Sequence, residues 1–245
     1  MDALRIDRRT ALQLIAGTGA SMLMRTHMIA SASVSALTAL DHLLLGVSDL
    51  DYGIKWVEER TGVRPAIGGS HPGRGTRNAL MALGPKQYLE VIAPDPAQTT
   101  YGFRMDLKTM TEPRLVWWAA KVSDIEAVAK KGRDARVQMV GPRDGSRVRP
   151  DGKMLKWKSL AIASDFAVDG IDPIPFFIEW AEGTVHPSQD APGGCTLRSF
   201  EIEHPRAAAV SDALKQIGVD VSVRQADVVA LVATIETSRG QLVLR

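Results

Sequence analysis

The chain has 245 residues, 45% of them hydrophobic, and a mean hydropathy of −0.05, enough apolar material for one large core or two to three small modules. A formal net charge of +2 with only 5% aromatic residues argues against a nucleic-acid surface, which needs a concentrated basic face. The single cysteine, Cys195, excludes an intrachain disulfide framework and a multi-cysteine zinc site, and no base beside it in the sequence marks it as a catalytic thiol.

The first segment reads as an address. Arg8-Arg9-Thr10 precedes an apolar stretch from Ala11 to Met24, interrupted by Gly17 and Gly19, and small residues follow through Val34-Ser35-Ala36. This resembles a twin-arginine export signal over residues 1–36, with cleavage after Ala36 or, alternatively, Ala32. The apolar run is too short and weak for stable membrane insertion. The expected location is periplasmic or secreted; the alternative is a cytoplasmic protein started at Met28. The first 36 residues hold four Arg and two Asp, so the remainder is neutral.

Beyond the leader the pattern repeats. Leu40 to Val47 is an apolar run, and Ser48-Asp49 then caps a helix ending near Thr61-Gly62. Short β-rich runs follow near Val63–Ile67, Asn78–Leu83 and Tyr88–Ala93, separated by Gly- and Pro-containing turns. Residues 37–110 thus form a first βαβββ module with its connector. The order returns over 111–190: a strand ending at Val122, a helix opened by Ser123-Asp124 and reaching Lys131, then strands around Val137–Val148, Met154–Ala163 and Ile174–Trp180. Pro150-Asp151-Gly152 supplies a turn, because Pro presets φ and Gly accepts positive φ. A shorter third copy fills 191–245: Leu197–Ile202, a helix from Pro205 to Ile217 with Val210, Leu214 and Ile217 on one face, then Val219–Val223, Val228–Thr234 and Gln241–Leu244. The expected class is α+β: tandem βαβββ modules curled into a cup-shaped mixed sheet, plus the third, shorter βαβββ-like module.

Four runs carry a family resemblance: Asp41-His42 opening a strand, the segment from Gly69 to Asn78, Tyr88-Leu89-Glu90, and Phe177-Ile178-Glu179-Trp180. Together they resemble the vicinal oxygen chelate superfamily, and within it the glyoxalase-like domain family, across roughly Leu40 to His186. The resemblance implies paired modules holding a divalent metal, with His42, Glu90 and Glu179 as ligands. The residues allow this on their own terms. An acidic side chain buried in an apolar strand needs a cation or hydrogen-bond donors, and Glu90 and Glu179 both lie in the last strand of their modules. An imidazole with two carboxylates suits Zn, Mn, Fe(II) or Ni. Where metal-binding relatives place a fourth ligand, this chain has Trp117, which cannot ligate, so three protein ligands plus water form the centre or His71 or His186 completes the set from a loop.

Other polar residues complete the candidate site. Gly68 to Thr76 holds four Gly and one Pro and reads as a loop over the cup mouth, offering His71 as a base or ligand and Arg74 or Arg77 as a fork for a substrate carboxylate. Asn78 either binds substrate or closes the turn. Arg147 and Arg149 share a hairpin face, where they grip an anion or are simply solvated. Trp117, Trp118 and Trp157 line a pocket or pack the core. Glu179 and His71 are the expected catalytic pair, and Arg74, Arg77, Asn78, Arg149 and Trp117 the expected substrate contacts. There is no phosphate-binding Gly-rich loop, nucleophile elbow or paired-histidine zinc helix. The resemblance implies a metal-dependent lyase, isomerase or dioxygenase acting on a small oxygen-rich substrate. The alternative is a metal-free small-molecule binding or sequestering protein of the same fold, and the cup leaves pairing as a homodimer open.

Overall fold

The computed structural model describes residues 34–245; the twin arginines and the apolar run of the leader lie outside them. A two-residue strand β1 (Val34–Ser35) and a short turn of helix α1 (Ala36–Ala39) lead into the first module. That module is β2 (Leu40–Gly46), α2 (Leu50–Thr61), β3 (Ala66–His71), β4 (Thr76–Gly84) and β5 (Gln87–Pro94). The second is β6 (Arg114–Lys121), α3 (Ile125–Asp134), β7 (Met139–Val148), β8 (Met154–Ile162) and β9 (Phe176–Trp180), followed by α4 (Pro187–Asp190). The third is β10 (Thr196–His204), α5 (Ala207–Gln216), β11 (Val219–Asp220), β12 (Ser222–Gln225), β13 (Ala230–Thr237) and β14 (Gly240–Leu244). Among the described residues no helix is long and apolar enough to cross a membrane.

The first two modules share one eight-stranded mixed sheet in the order β3-β4-β5-β2-β6-β9-β8-β7. Its halves meet at the antiparallel pair β2–β6, and within each half the first strand runs parallel to the last, β2 with β5 and β6 with β9. The sheet curls until its two edges, β3 and β7, approach each other. Glycine permits that approach: Gly69 has φ of 125°, and a Cβ on it would lie 2.9 Å from the Val148 carbonyl oxygen. The run from Gly68 to His71, read from its glycines as a mouth loop, is therefore the second half of an edge strand. It pairs Gly69 with Asn78, Ser70 with Arg77 and His71 with Thr76. A glycine-rich strand has no side-chain pattern to announce it; cross-strand hydrogen bonds and the neighbouring edge specify it.

The convex face of this sheet forms the main core. Leu43, Leu45, Leu89, Val91 and Trp118 are buried there with Ile54 and Val57 of α2. The third module's sheet, β12-β10-β13-β14, joins the same core, with Phe200 of β10 tilted against Trp118 at 5.0 Å between ring centroids. Its apolar helix face, Val210 and Leu214, is buried in the same cluster, as the spacing predicts. The two helices that start at Ser-Asp are capped by the aspartates: Asp49 accepts from Tyr52 N–H and Asp124 from Ala127 N–H.

Helix α2 lies close against the sheet because it carries a glycine at the contact. A Cβ on Gly53 would sit 2.8 Å from Val91 Cγ1 and 2.9 Å from both Val47 methyls. Gly53→Ala should therefore destabilise the protein by about 1–3 kcal/mol through overpacking, outweighing the ~1 kcal/mol that alanine adds as a helix former. Denaturant unfolding of the variant checks the sign.

Candidate functional site

Strand alternation sorts side chains between the core and the concave face. His42 and Leu44 of β2, Tyr88 and Glu90 of β5, Trp117 of β6, and Phe176, Ile178 and Trp180 of β9 face inward, around a cavity of about 470 Å³. His71, Asn78, Arg74 and Arg147 also line it.

At its floor lies Glu90, only 6% exposed. Its Oε1 accepts a hydrogen bond from Asn78 Nδ2 at 2.8 Å, and its Oε2 is 3.4 Å from His42 Nε2. His71 Nε2 is 3.6 Å from Oε1. Two imidazoles and an amide thus surround one carboxylate. His71 Nδ1 lies 2.9 Å from Thr76 Oγ1 and its Nε2 3.3 Å from the Asn78 amide nitrogen, so Nδ1 carries the hydrogen and Nε2 presents a lone pair. Burial lowers the His71 pKa, with Arg147 and Arg74 acting in the same direction and Glu90 opposing them, so the ring is held neutral.

Behind His42 stands Asp41, fully buried. Plain alternation would send Asp41 to the opposite face from His42. The β2–β6 register instead slips between Leu40 and His42, which face the consecutive residues Ala120 and Ala119. This bulge turns Asp41 toward its neighbour. Asp41 Oδ1 accepts from His42 Nδ1 at 2.7 Å, while Oδ2 accepts from His186 Nε2 and Trp180 Nε1, each at 3.1 Å. His186 donates from Nε2 because its Nδ1 accepts the Ser188 backbone N–H at 3.2 Å. Burial alone would raise the Asp41 pKa; the hydrogen bonds and positive fields of His186 and His42 outweigh it and hold the carboxyl well below the usual carboxylate range. The Asp41 bond fixes the His42 ring and turns Nε2 toward Glu90, the role a carboxylate plays behind a working histidine. Tyr88 stacks on His42 at 4.5 Å and 19°, and burial, then Asp41 and Glu90, push its phenol pKa well above the ordinary value.

The structure brings His42, Glu90, His71, Asn78, Arg74 and Trp117 to one cavity. It does not bring Glu179 there. On β9 the inward residues are Phe176, Ile178 and Trp180, while Phe177 is in the convex core. Glu179 Oε2 accepts the Ile125 N–H at 2.8 Å, capping the first turn of α3. The repeat therefore does not carry the two glutamates to a common centre: the position facing the cup is Ile178, and a one-residue offset exchanges faces. Glu179→Ala should cost about 0.5–2 kcal/mol as a lost helix cap and leave the cup's ligand affinity unchanged, as unfolding and titration on the same sample would show.

Arg77 and Arg149 are also elsewhere. Arg77 points away from Asn78's side of β4, where its charge acts on Asp95. Arg149 pairs with Asp190 and, at 3.4 Å, with Asp151 on the hairpin outside the cup. Its neighbour Arg147, considered in the sequence only as part of a hairpin face, is the one that lines the cavity. Trp117 forms part of the wall, donating from Nε1 to the Ile174 carbonyl at 2.7 Å and packing on Phe176 at 4.5 Å. Asp41 and Tyr88 had no assigned role in the sequence reading; the bulge that enlists Asp41 leaves no trace in residue spacing.

The ligand set that the resemblance implies, His42, Glu90 and Glu179, is not brought together. With Glu179 on the convex face, the one carboxylate that the second module brings to the described lining is Asp144, exposed on β7, and the inward residues Trp117, Phe176, Ile178 and Trp180 of β6 and β9 cannot ligate. Among the described residues no group of three or more His, Cys, Asp and Glu side chains is arranged to hold an ion.

A cup of tandem βαβββ modules with its polar centre on the concave face defines a glyoxalase-like protein. The model of the glyoxalase-like domain family matches residues 40–218, and the chain belongs to that family. Among solved structures it is similar to a hypothetical protein from Staphylococcus aureus, with 22% identity, 83% of each chain covered and a TM-score of 0.58. It also resembles methylmalonyl-CoA epimerase from Mycobacterium tuberculosis, at 23% identity over 63% of this chain and 94% of that one, TM-score 0.41. A Streptomyces coelicolor methylmalonyl-CoA epimerase variant in complex with 2-nitronate-propionyl-CoA shares 17% identity over 60% and 97%, TM-score 0.44. These likenesses concern the fold. No curated protein matches the chain.

Proposed function

We propose that the cup is the active site of a glyoxalase-like enzyme that moves a proton on a small oxygen-rich substrate, in the manner of an isomerase or lyase. The observation that carries this reading is the buried Glu90 carboxylate, with His42 Nε2 at 3.4 Å and His71 Nε2 at 3.6 Å, at the floor of a cavity of about 470 Å³. That volume is within the range of small-molecule sites. Glu90 is the proton acceptor. Asn78 fixes its position, and His42, oriented by Asp41, relays or shares the proton through Nε2. Neutral His71 offers a second lone pair on the other carboxylate oxygen. Trp117, Phe176 and Tyr88 give the reacting carbon an apolar wall.

The test is deuterium exchange in D2O, followed by NMR, over a panel of charged and neutral small hydroxy- and oxo-carbonyl compounds. Exchange in wild type that fails in Glu90→Gln supports the proposal. Saturable binding without exchange would sink it and support the sequestering protein instead. The metal-dependent form of the reading, dioxygenase chemistry included, has lost Glu179 as a ligand and would need His71 beside His42 and Glu90. Elemental analysis of protein purified without chelator should find no stoichiometric divalent ion, and one ion per chain that is lost in His42→Ala would overturn the metal-free mechanism. Export belongs to the same proposal: cell fractionation should find the protein outside the cytoplasm with residues 1–36 removed.

A further inference from the structure

Arg147 is 4% exposed, yet no carboxylate lies within ion-pair distance of it among the described residues. Its Nη1 is buried without a hydrogen-bond partner. The side chain reaches the cavity from the edge strand β7 by crossing the seam over β3, where glycine leaves room: a Cβ on Gly68 would lie 3.0 Å from Nη1. Burial lowers its pKa, but a guanidinium keeps its proton at any working pH. An unpaired buried cation is costly, and the fold has cleared a passage to keep it.

The other charges of the lining are exposed or engaged: Arg74, Arg143 and Asp144 lie exposed. Arg104, on the same wall, pairs with Asp172 at 2.8 Å. Glu90 accepts from Asn78, and its charge acts on Arg147 without forming an ion pair with it. What the cavity lacks is one negative charge beside Arg147. Glu90 limits the size of that charge, since a dianion would meet its repulsion in the same enclosed space.

We infer that Arg147 receives a carboxylate of the ligand, so that the substrate is a small monocarboxylate with its apolar remainder against Trp117 and Phe176. This rests on the cup being the functional site and deepens the proton-transfer reading by naming the substrate class. The planar fork of Arg147 matches a carboxylate's two oxygens.

The test uses the full chain and calorimetric titration with phenylacetate, its neutral isostere phenylacetamide and inorganic phosphate, in wild type, Arg147→Gln, Arg147→Lys and Arg149→Gln. Phenylacetate should bind about tenfold or more tightly than the amide, the scale of one charge-assisted hydrogen bond. Arg147→Gln should abolish that preference, Arg147→Lys keep part of it, and Arg149→Gln leave it intact. The wild-type comparison needs no variant, so a misfolded substitution does not decide the matter. Equal affinity for acid and amide, a preference for phosphate, no saturable binding of phenylacetate, or an undiminished preference in a folded Arg147→Gln would each overturn the inference. A preserved carboxylate preference with no exchange on any compound would instead sink the proton-transfer reading alone.

Discussion

Glu90→Gln is expected to slow proton exchange by about 10²–10⁴-fold, the usual contribution of a positioned general acid or base. The substitution is close to isosteric. Its amide oxygen can still accept from Asn78, which donates at 2.8 Å in the wild type, so the side chain should stay in place. What disappears is, among the described residues, the only carboxylate within 4 Å of both His42 and His71. Because the mutant keeps its shape, ligand affinity should change much less than the exchange rate. An exchange rate within a few-fold of wild type would remove Glu90 from the chemistry.

Asp41→Ala is expected to destabilise the protein by about 3–5 kcal/mol, the cost of breaking a buried, hydrogen-bonded charge cluster from one side. Three donors lose their acceptor at once: His42 Nδ1, His186 Nε2 and Trp180 Nε1. Urea unfolding at neutral pH measures the loss, and a value under about 1 kcal/mol would show the cluster to be dispensable. The effect depends on pH in a defined direction. Asp41 has a depressed pKa in the fold, so its contribution is present above the ordinary carboxylate range, near 3.9, and is lost as pH falls below it. His71 is also depressed: folding favours its neutral form, so stability declines once pH falls under about 6.5, where the unfolded chain binds the proton first. Wild-type stability should thus fall in two acid stages. Asp41→Ala should shrink the lower one, to which the depressed carboxyls of Asp95 and Asp151 also contribute, and keep the upper.

Much of the fold was legible in the sequence because its signals are local. The repeated Val-Ser-Asp marks two helix starts, and the structure shows both aspartates as caps. Apolar runs bounded by turns located most strands of the three modules, though β3 lies at Ala66–His71 rather than Val63–Ile67, and the apolar face of α5 predicted its burial. The failures occur where the outcome depends on a partner strand. Gly68 to His71 lacks a strand's side chains, and its place as an edge comes from pairing with β4 and from the close approach of β7.

The candidate site divides in the same way. Residue type and strand membership picked out His42, Glu90, Asn78, His71, Arg74 and Trp117, because a polar side chain in an apolar strand needs a reason to be there. Which face each residue takes was decided by register. One extra residue in β2 brings Asp41 behind His42, and the parity of β9 sends Glu179 to cap a helix while Ile178 enters the cup. Seam closure selects Arg147 over Arg149. The sequence by itself determined the modules, their order and most of the polar residues available, since periodicity and capping act within a few residues. Only the tertiary structure decided which of those residues meet, because a strand's faces alternate at every residue and a single bulge or offset exchanges them.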